Sequence, residues 1–354
     1  MSEKLDTLWY TRCPVPTGLG IAIQQGWLED AFARQGAKLS SLRESDDFSK
    51  RESHFSHTQQ NSVRHGGNIP AISARARGRD TRVLGLSWAD ETQLILTTPE
   101  SGITSVRELK GRRFGLPNWK KVEIDFSRAQ AIRGLENALR LDGLEVSDVE
   151  LVNQDIDTHY SDQQAVNVGG TLNWQGGRAA TSRARANNLE LIALLRGEVD
   201  AIFLKGVHGA QAASQFGLTT LIDTGIHPDP LVRANNGTPR TLAVDGHLLD
   251  HHFDAAVTIV EQVLRAEAWA QDHASDVRRY LARETNSSEY WVSVAYGEDA
   301  QKRLKTDLSE QSIAGIQDFT DFLHRWDFIP ERFDIRDWID ARPLEAARSL
   351  ALAG

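Results

Sequence analysis

The sequence predicts an α/β protein built as a two-domain clamshell. Segments with strand-like alternation are interleaved with segments of helical periodicity, which favours sheets of mostly parallel strands. At about 150 residues per domain, a chain of 354 residues suggests two domains. A late strand-like segment, Thr241–Val244, indicates that the chain returns to its first domain. We therefore expect residues 1–98 and 224–354 in the first domain, residues 99–223 in the second, and a ligand in the interdomain cleft.

The N-terminal elements follow from alternation and capping. Leu5–Thr11 alternates apolar and polar residues and predicts a strand that ends just before Cys13. Thr17 can cap a helix that continues to Gly36, and Ala37–Leu42 predicts a second strand. Cys13 is therefore expected at a strand end, where side chains can face a ligand.

The following segment is polar and opens into a glycine pair. Residues 43–61 are rich in Ser, His and Gln with weak periodicity, which predicts a loop or a short exposed helix. Gly66-Gly67-Asn68 then begins a predicted helix over Ile69–Ala76. Strands are expected to follow at Thr81–Trp88 and Thr92–Thr98.

The predicted second domain contains one long amphipathic helix, Phe126–Leu141, with its apolar residues on one face. Its other elements are two further helices, predicted at Val106–Lys110 and Leu189–Leu195, and four strands, predicted at Arg112–Leu116, Asp148–Asn153, Asp200–Leu204 and Thr219–Asp223. Residues 157–187 differ, because they carry two glycine pairs among polar residues. Loops this long are either functional covers or mobile, and Trp174 is the candidate cover residue.

Composition and charge exclude several classes of protein. The formal net charge is −9 and no block of like charge stands out, which disfavours nucleic-acid binding. The N-terminus lacks a leader pattern, and no stretch approaches the roughly 18 apolar residues of a membrane span. We therefore expect a cytoplasmic protein without a membrane partner. Cys13 is the single cysteine, so an internal disulfide and a cysteine-rich zinc site are excluded.

Three residues are candidates for chemistry. Cys13 is followed by Pro14, whose ring rigidifies the turn and would fix the direction of the thiol. The alternative is a small buried hydrophobic residue, since free cysteines are often buried. His54 can exchange protons with a thiol or with a ligand oxygen. The alternatives are a solvated loop histidine, or His57 in the same role.

An anion-binding cradle is predicted around the glycine pair. Arg64 offers a planar fork of donors suited to an oxyanion, and Gly66 and Gly67 lead into a helix N-terminus that attracts negative charge. The alternative is a surface arginine before an ordinary turn. Phe55 and Phe126 are candidates to line the remaining space, although most aromatic residues simply belong to a core.

Two sets of motifs resemble known families. Ser105–Arg113 and Leu195–Ala201 resemble segments of type 2 periplasmic-binding-protein folds. In the first domain, Tyr10-Thr11-Arg12-Cys13-Pro14-Val15-Pro16, His54-Phe55 and Arg64-His65-Gly66-Gly67-Asn68-Ile69-Pro70 resemble the 2'-hydroxybiphenyl-2-sulfinate desulfinases. That resemblance implies a periplasmic-binding-protein-like fold with catalytic Cys13, His54 and Arg64.

The resemblance also implies an activity. It is the hydrolytic cleavage of the C–S bond of an aromatic sulfinate, with release of sulfite and without metal or other cofactor. Cys13 would act as an acid or as a nucleophile, and the sequence does not choose between these roles. The chain is expected to act as a monomer on a small aryl sulfinate. The alternatives are a solute-binding protein for sulfonate-, nitrate- or taurine-like anions of an ABC importer, and a cytoplasmic sensor or precursor-forming enzyme on the same fold.

Overall fold

The computed structural model describes residues 4–162 and 188–353. Its strands are β1 (Thr7–Arg12), β2 (Lys38–Ser41), β3 (Ser62–Gly66), β4 (Thr81–Ser87), β5 (Gln93–Thr97), β6 (Arg113–Trp119), β7 (Glu150–Ile156), β8 (Ala201–Lys205), β9 (Thr219–Asp223), β10 (Arg240–Asp245) and β11 (Thr306–Asp307).

The α-helices within the same residues are α1 (Gly18–Gln24), α2 (Trp27–Arg34), α3 (Phe48–Ser56), α4 (Asn68–Ala76), α5 (Phe126–Leu141), α6 (Leu189–Leu195), α7 (Gly206–Gln215), α8 (Pro230–Arg233), α9 (Gly246–His251), α10 (Phe253–Asp272), α11 (Ala274–Thr285), α12 (Glu289–Tyr296), α13 (Glu310–Arg325) and α14 (Arg342–Ala353). Short 3₁₀ turns link several of them, such as Val106–Leu109.

Contacts divide the chain into two units. The first comprises Met1–Ala89, Asn236–Glu289 and Glu298–Gly354, and the second comprises Asp90–Asn235 and Tyr290–Gly297. The predicted boundary at residue 98 placed β5 in the first domain. The structure places β5 in the second unit, because it pairs there with β8 and β9.

The first unit holds a mixed sheet in the order β11-β4-β10-β3-β1-β2. β1 lies parallel to β2 and to β3, whereas β10 is antiparallel to both β3 and β4. The α/β class is confirmed, but this sheet is mixed rather than mostly parallel. The reason is that the chain returns as β10 and runs against its neighbours. Apolar residues of these strands, such as Leu8, Val63 and Leu242, are buried in one core cluster with the apolar face of α10.

The first helices show how local sequence sets their bounds. Thr17 caps α1, because its side chain accepts a hydrogen bond from the Gly20 amide, as predicted. The single helix expected to run to Gly36 is two helices. Gly26 adopts a φ of 74° between them, a left-handed conformation that interrupts a helix and that glycine adopts at little cost.

The polar stretch that follows β2 contains α3, which the sequence predicted as a loop or a short exposed helix. Asp47 caps this helix by accepting a hydrogen bond from the Ser49 amide. The helix is not exposed throughout, since Ser53, His54 and Ser56 are buried on the face that packs against α4. Polar side chains can be buried here because they find hydrogen-bond partners.

The second unit holds a mixed sheet in the order β7-β6-β8-β5-β9. β6 lies parallel to β7 and β8, and β5 is antiparallel to β8 and β9. The long amphipathic helix is α5, with the bounds predicted from its periodicity. Asp125 caps it by accepting a hydrogen bond from the Arg128 amide. The predicted cover residue Trp174 lies outside the described residues.

Candidate functional site

The site is built where β1 and β3 end side by side. The two strands are parallel, and Thr11 pairs with Arg64 in their register. Cys13 follows β1, and its amide donates a hydrogen bond of 3.2 Å to the His65 carbonyl. Because the carboxyl ends of parallel neighbours meet at one sheet edge, this pairing brings Cys13 next to Gly66.

Gly66 is required by the close approach of the thiol. A Cβ atom at position 66 would lie 2.3 Å from Cys13 Sγ and 2.7 Å from Cys13 Cβ, distances that non-bonded atoms do not tolerate. The absence of a side chain at Gly66 therefore makes room for the thiol. The glycine was predicted to approach a ligand, and the structure shows that it approaches Cys13.

The guanidinium of Arg64 connects the parts of the site. Its Nε donates to the His54 carbonyl at 3.1 Å, one terminal nitrogen donates to the Gly67 carbonyl at 2.6 Å, and the other donates to Cys13 Sγ at 3.1 Å. Only 3% of Arg64 is exposed. Burial lowers the pKa of Arg64, and the opposite charge that Cys13 can carry raises it. Arg64 is thus a buried cation, not the surface arginine of the alternative interpretation.

His54 lies on the other side of the thiol. Its Nε2 is 4.0 Å from Cys13 Sγ, and its Nδ1 is 2.6 Å from the hydroxyl of Thr11. The imidazole is buried, and Phe55 packs edge-on against it with ring centroids 4.6 Å apart. If Thr11 donates to Nδ1, then Nε2 carries the proton toward the sulfur. If Nδ1 donates to Thr11, then Nε2 can accept the proton of the thiol.

Thr11 was not predicted as a site residue, although its position on the strand relative to Cys13 indicates one. It stands two residues before Cys13 on a strand, so the two side chains share one face of the sheet. A hydroxyl at that position can orient a histidine that serves the same thiol. Because alternate residues of a strand face the same side, counting back two residues from Cys13 identifies Thr11.

His57 was the predicted alternative to His54. The structure brings His54 to the thiol, and places His57 at the end of α3 with a left-handed φ of 52°. Its Nε2 is buried and has no hydrogen-bond partner among the described residues. Burial and the nearby charge of Arg64 lower the pKa of His57 to about 3, so that it is neutral near pH 7.

The start of α4 differs from the predicted anion cradle. The amides of Asn68 and Ile69 donate to the backbone carbonyl and the side-chain oxygen of Asn236, at 2.8 and 3.1 Å. These helix-terminal amides are therefore already satisfied. The Gly67 amide has no such partner in the described part of the chain and stays available. A Cβ at Gly67 would lie 2.6 Å from the Asn236 side-chain oxygen, so glycine is required here too.

The two predicted lining residues fall in different units. Phe55 lies in the first unit beside His54. Phe126 begins α5 in the second unit, where it stacks on Tyr160 with ring centroids 4.6 Å apart. The structure therefore brings Cys13, His54, Arg64, Gly66, Gly67 and Phe55 together within one unit, and Phe126 is not part of that set.

Metal-binding clusters and membrane-spanning helices are absent from the described ranges. Within 4–162 and 188–353, no three His, Cys, Asp or Glu side chains are grouped so that they could hold a metal ion. None of the helices in these ranges has the length and apolar character needed to cross a bilayer.

Chemically, the site presents a thiol between a buried guanidinium and an imidazole. Arg64 has five N–H groups, of which three make the contacts above, so that two remain for a ligand. An oxyanion that meets these donors and the Gly67 amide would lie next to the sulfur of Cys13. Such an arrangement can bind an anion and can transfer a proton or form a bond at sulfur.

The chain is similar to known proteins in sequence and in fold. The family described as NMT1/THI5 like matches residues 14–199, more than half of the chain. The 2'-hydroxybiphenyl-2-sulfinate desulfinase of Rhodococcus erythropolis is 26% identical over 94% of this chain and 91% of its own. A crystal structure of a cysteine-to-serine mutant of DszB in complex with biphenyl-2-sulfinic acid matches with a TM-score of 0.74 and 25% identity, covering 97% of this chain and 99% of that chain.

A binding protein shares the fold as well. The periplasmic aliphatic sulphonate binding protein SsuA from Escherichia coli matches with a TM-score of 0.64 and 18% identity, covering 95% of this chain and 92% of its own. The resemblances predicted from the motifs are thereby confirmed for both the desulfinases and the periplasmic-binding-protein-like fold. The chain belongs to the NMT1/THI5-like family.

Proposed function

We propose that this protein is a hydrolytic desulfinase that cleaves the C–S bond of an aromatic sulfinate similar to 2'-hydroxybiphenyl-2-sulfinate and releases sulfite. One observation carries the proposal. The thiol of Cys13 lies 3.1 Å from the guanidinium of Arg64 and 4.0 Å from the imidazole of His54. The relationship to a desulfinase over 94% of the chain supports this assignment.

Arg64 and the Gly67 amide are the proposed holders of the sulfinate. The two remaining N–H groups of Arg64 lie on its two terminal nitrogens, because Nε has a single hydrogen and uses it on the His54 carbonyl. A sulfinate oxygen bound by the nitrogen that faces Cys13 would bring the sulfinate sulfur close to the thiol. Binding and chemistry would then depend on the same guanidinium.

Cys13 has two possible roles in the proposed reaction. As an acid, the thiol gives its proton to the ring carbon that bears sulfur, and the electron pair of the C–S bond becomes the C–H bond. Sulfur dioxide leaves and combines with water to give bisulfite and a proton, which restores the thiol. This route, like the nucleophilic route described next, converts one aryl sulfinate and one water to one arene and one bisulfite.

As a nucleophile, the Cys13 thiolate attacks the sulfinate sulfur and forms an S–S bond, while the aryl group leaves with the C–S electron pair and takes a proton from His54. Water then breaks the S–S bond, giving bisulfite and the thiol. A neighbouring guanidinium stabilises a thiolate, and an imidazole supplies the proton. Neither route uses a metal or another cofactor.

We further propose that the protein acts in the cytoplasm as a monomer, without nucleic acid or membrane as a partner. The acidic net charge of −9 supports the absence of a nucleic-acid partner. Fractionation of the native host and size-exclusion chromatography with light scattering test the location and the oligomeric state.

The experiment that tests the function is sulfite release from a panel of aryl and alkyl sulfinates. Sulfite is measured with a thiol-reactive dye, and the arene is measured by chromatography. We expect equal amounts of sulfite and arene from 2-(2'-hydroxyphenyl)benzenesulfinate or a related aryl substrate. Absence of both products over the whole panel would contradict the proposal.

An anion-binding protein is the second candidate. The observation that favours it is that Arg64 and the Gly67 amide would hold an oxyanion without any chemistry at Cys13. Calorimetry with sulfonates, nitrate and taurine distinguishes the two functions. Tight binding of these anions without sulfite release from any sulfinate would support the binding protein.

A further inference from the structure

A chain of hydrogen bonds runs through the interior of the first unit, from a helix to the strand that carries Arg64. Its four members are Glu267 of α10, Thr306 of β11, Ser87 of β4 and His65 of β3, and all four are buried. The hydroxyl of Thr306 lies 2.5 Å from a carboxyl oxygen of Glu267 and 3.0 Å from the hydroxyl of Ser87. Ser87 in turn lies 3.0 Å from Nε2 of His65. The proposed reaction uses none of these side chains.

The acid at one end of this chain has no cationic partner. Glu267 forms no salt bridge with any residue in 4–162 or 188–353, and its second carboxyl oxygen accepts a hydrogen bond of 2.9 Å from the Thr306 amide. Burial and the charge of Asp307 raise the pKa of Glu267 to about 8, against the opposite effects of Arg348 and of the hydrogen bonds from Thr306. Glu267 is therefore mostly protonated near pH 7.

The imidazole at the other end has one unused nitrogen. Nδ1 of His65 is buried and has no hydrogen-bond partner among the described residues. Burial and the charges of Arg240 and Arg64 lower the pKa of His65 to about 3, so that the ring carries a single proton near pH 7. The group that meets Nε2 decides which nitrogen holds that proton, and this group is the hydroxyl of Ser87.

Two proton arrangements satisfy every link of the chain. When Glu267 is protonated, it donates to the hydroxyl of Thr306, which donates to Ser87. Ser87 then donates to Nε2 of His65, and the ring proton is on Nδ1. When Glu267 is ionised, Thr306 donates to the carboxylate and each further bond reverses, so that Nε2 of His65 donates to Ser87. The second arrangement has one proton fewer, because that proton has been released to solvent.

The same chain adjoins both segments that hold the thiol. The carbonyl of His65 accepts the hydrogen bond of 3.2 Å from the Cys13 amide. Gly18 begins α1, the helix that follows the Cys13 turn, and a Cβ atom at Gly18 would lie 3.0 Å from a carboxyl oxygen of Glu267. A charge on Glu267 thus arises against the helix that follows Cys13, and the tautomer of His65 changes on the strand whose carbonyl holds the Cys13 amide.

We propose that the four side chains form a proton relay in which ionisation of Glu267 switches the tautomer of His65. Glu267 is then a positioning residue, because its charge state alters the reactivity of Cys13 without contact with the substrate. The relay does not depend on the proposed desulfinase function. Only its effect on the rate of sulfite release rests on that function.

The tautomer of His65 is the direct readout of the relay. It is measured by ¹⁵N NMR of the full chain labelled at histidine, and the His65 signals are assigned by their loss in His65→Gln. The measurement uses Cys13→Ser, so that no thiol titrates in the same range. We expect the ring proton to move from Nδ1 to Nε2 as the pH is raised, with a midpoint of about 8.

Three variants assign the switch to this chain. Glu267→Gln keeps one donor and one acceptor but cannot ionise, so His65 should keep its proton on Nδ1 at every pH. Thr306→Val removes the hydroxyl between Glu267 and Ser87 and should abolish the switch as well, which covers the case in which the glutamine variant does not fold. Asp272→Asn, at an exposed position of the same helix, should leave the switch unchanged.

Because Cys13 is the single cysteine, its reactivity can be measured without any substrate. The rate of alkylation by iodoacetamide in Glu267→Gln is divided by the wild-type rate at each pH, so that the ordinary ionisation of a thiol cancels. The ratio should rise by about twofold to fivefold as the pH passes about 8, because only the wild type gains a buried negative charge, which disfavours a thiolate. The ratio for Asp272→Asn should stay constant.

Several outcomes overturn the proposal. A His65 tautomer that does not change with pH, or a change that persists in Glu267→Gln or Thr306→Val, refutes the relay. An alkylation ratio that stays constant refutes Glu267 as a positioning residue. Sulfite assays separate this test from that of the function. A switch in a protein that releases no sulfite upholds the relay and refutes the desulfinase, and sulfite release without a switch does the opposite.

Discussion

Arg64 donates a hydrogen bond of 3.1 Å to the sulfur of Cys13, although 51 positions separate them in the chain. The parallel pairing of β1 and β3 creates this contact, and the missing side chain of Gly66 makes room for it. An oxyanion bound by this guanidinium would therefore lie beside the thiol.

Arg64→Ala should weaken binding of an aryl sulfinate by about 2–5 kcal/mol, because a buried cation that pairs with the anion is lost. Arg64→Lys should recover only part of this, since an ammonium cannot reproduce the donations to His54, Gly67 and Cys13. Calorimetry in the Cys13→Ser background measures the sulfinate affinity of both Arg64 variants. Unchanged affinity in Arg64→Ala would show that the anion binds elsewhere.

Thr11→Val should lower the rate of sulfite release by about tenfold to hundredfold, because the hydroxyl that orients His54 through Nδ1 is replaced by a methyl group of similar shape. The pH dependence of the rate should shift as well, which a purely structural change would not cause. Thr11→Ser keeps the hydroxyl and should restore most of the rate. Equal rates for the wild type and the valine variant would remove Thr11 from the account.

Gly66→Ala should displace the thiol or its strand, because the new Cβ would lie 2.3 Å from Cys13 Sγ. We expect a loss of about 1–3 kcal/mol in the free energy of unfolding and a loss of sulfite release. Gly20→Ala is a milder comparison, since its new Cβ would meet Thr17 Oγ1 at 3.1 Å, and it should cost less stability than Gly66→Ala. Denaturant unfolding measures the stability of both variants. A Gly66→Ala protein with wild-type stability and rate would contradict the close approach of Cys13 to Gly66.

The free energy of unfolding should fall as the pH is lowered from about 6.5 toward 3. Burial lowers the pKa values of His57 and His65 to about 3, so these two side chains stay neutral in the folded state at pH values where they take up protons in the unfolded state. Each histidine should contribute a slope of about 1.4 kcal/mol per pH unit in this window. His57→Asn, which tolerates the left-handed backbone, should reduce the slope by that amount. An unchanged slope would show that His57 titrates normally.

Some of this structure follows directly from sequence patterns. Strand β1, the cap at Thr17 and helix α5 have clear alternation, capping or helical periodicity, and they lie close to where these patterns predict them. The convergence of Cys13, His54 and Arg64 was predicted from motifs, and the distances support it. Their chemical roles remain a prediction.

Other features could not be predicted, for physical reasons. All five residues of β3 are buried, yet Arg64 and His65 give it the composition of a surface segment, so no strand was predicted there. The buried face of α3 is polar as well, because it holds His54 beside Cys13 and Arg64 and buries Ser53 and Ser56, which form local hydrogen bonds. The pairing of Thr306 with Ser87 depends on strand order, which local patterns do not contain.

The most direct test of the central claim compares the wild type with Cys13→Ser. Sulfite release is measured with 2-(2'-hydroxyphenyl)benzenesulfinate, and anion affinity and thermal unfolding are measured on the same preparations. We predict that the serine variant releases no sulfite above the uncatalysed background while its fold and its affinity for the sulfinate are retained. A serine variant with the wild-type rate would contradict a reaction that depends on Cys13.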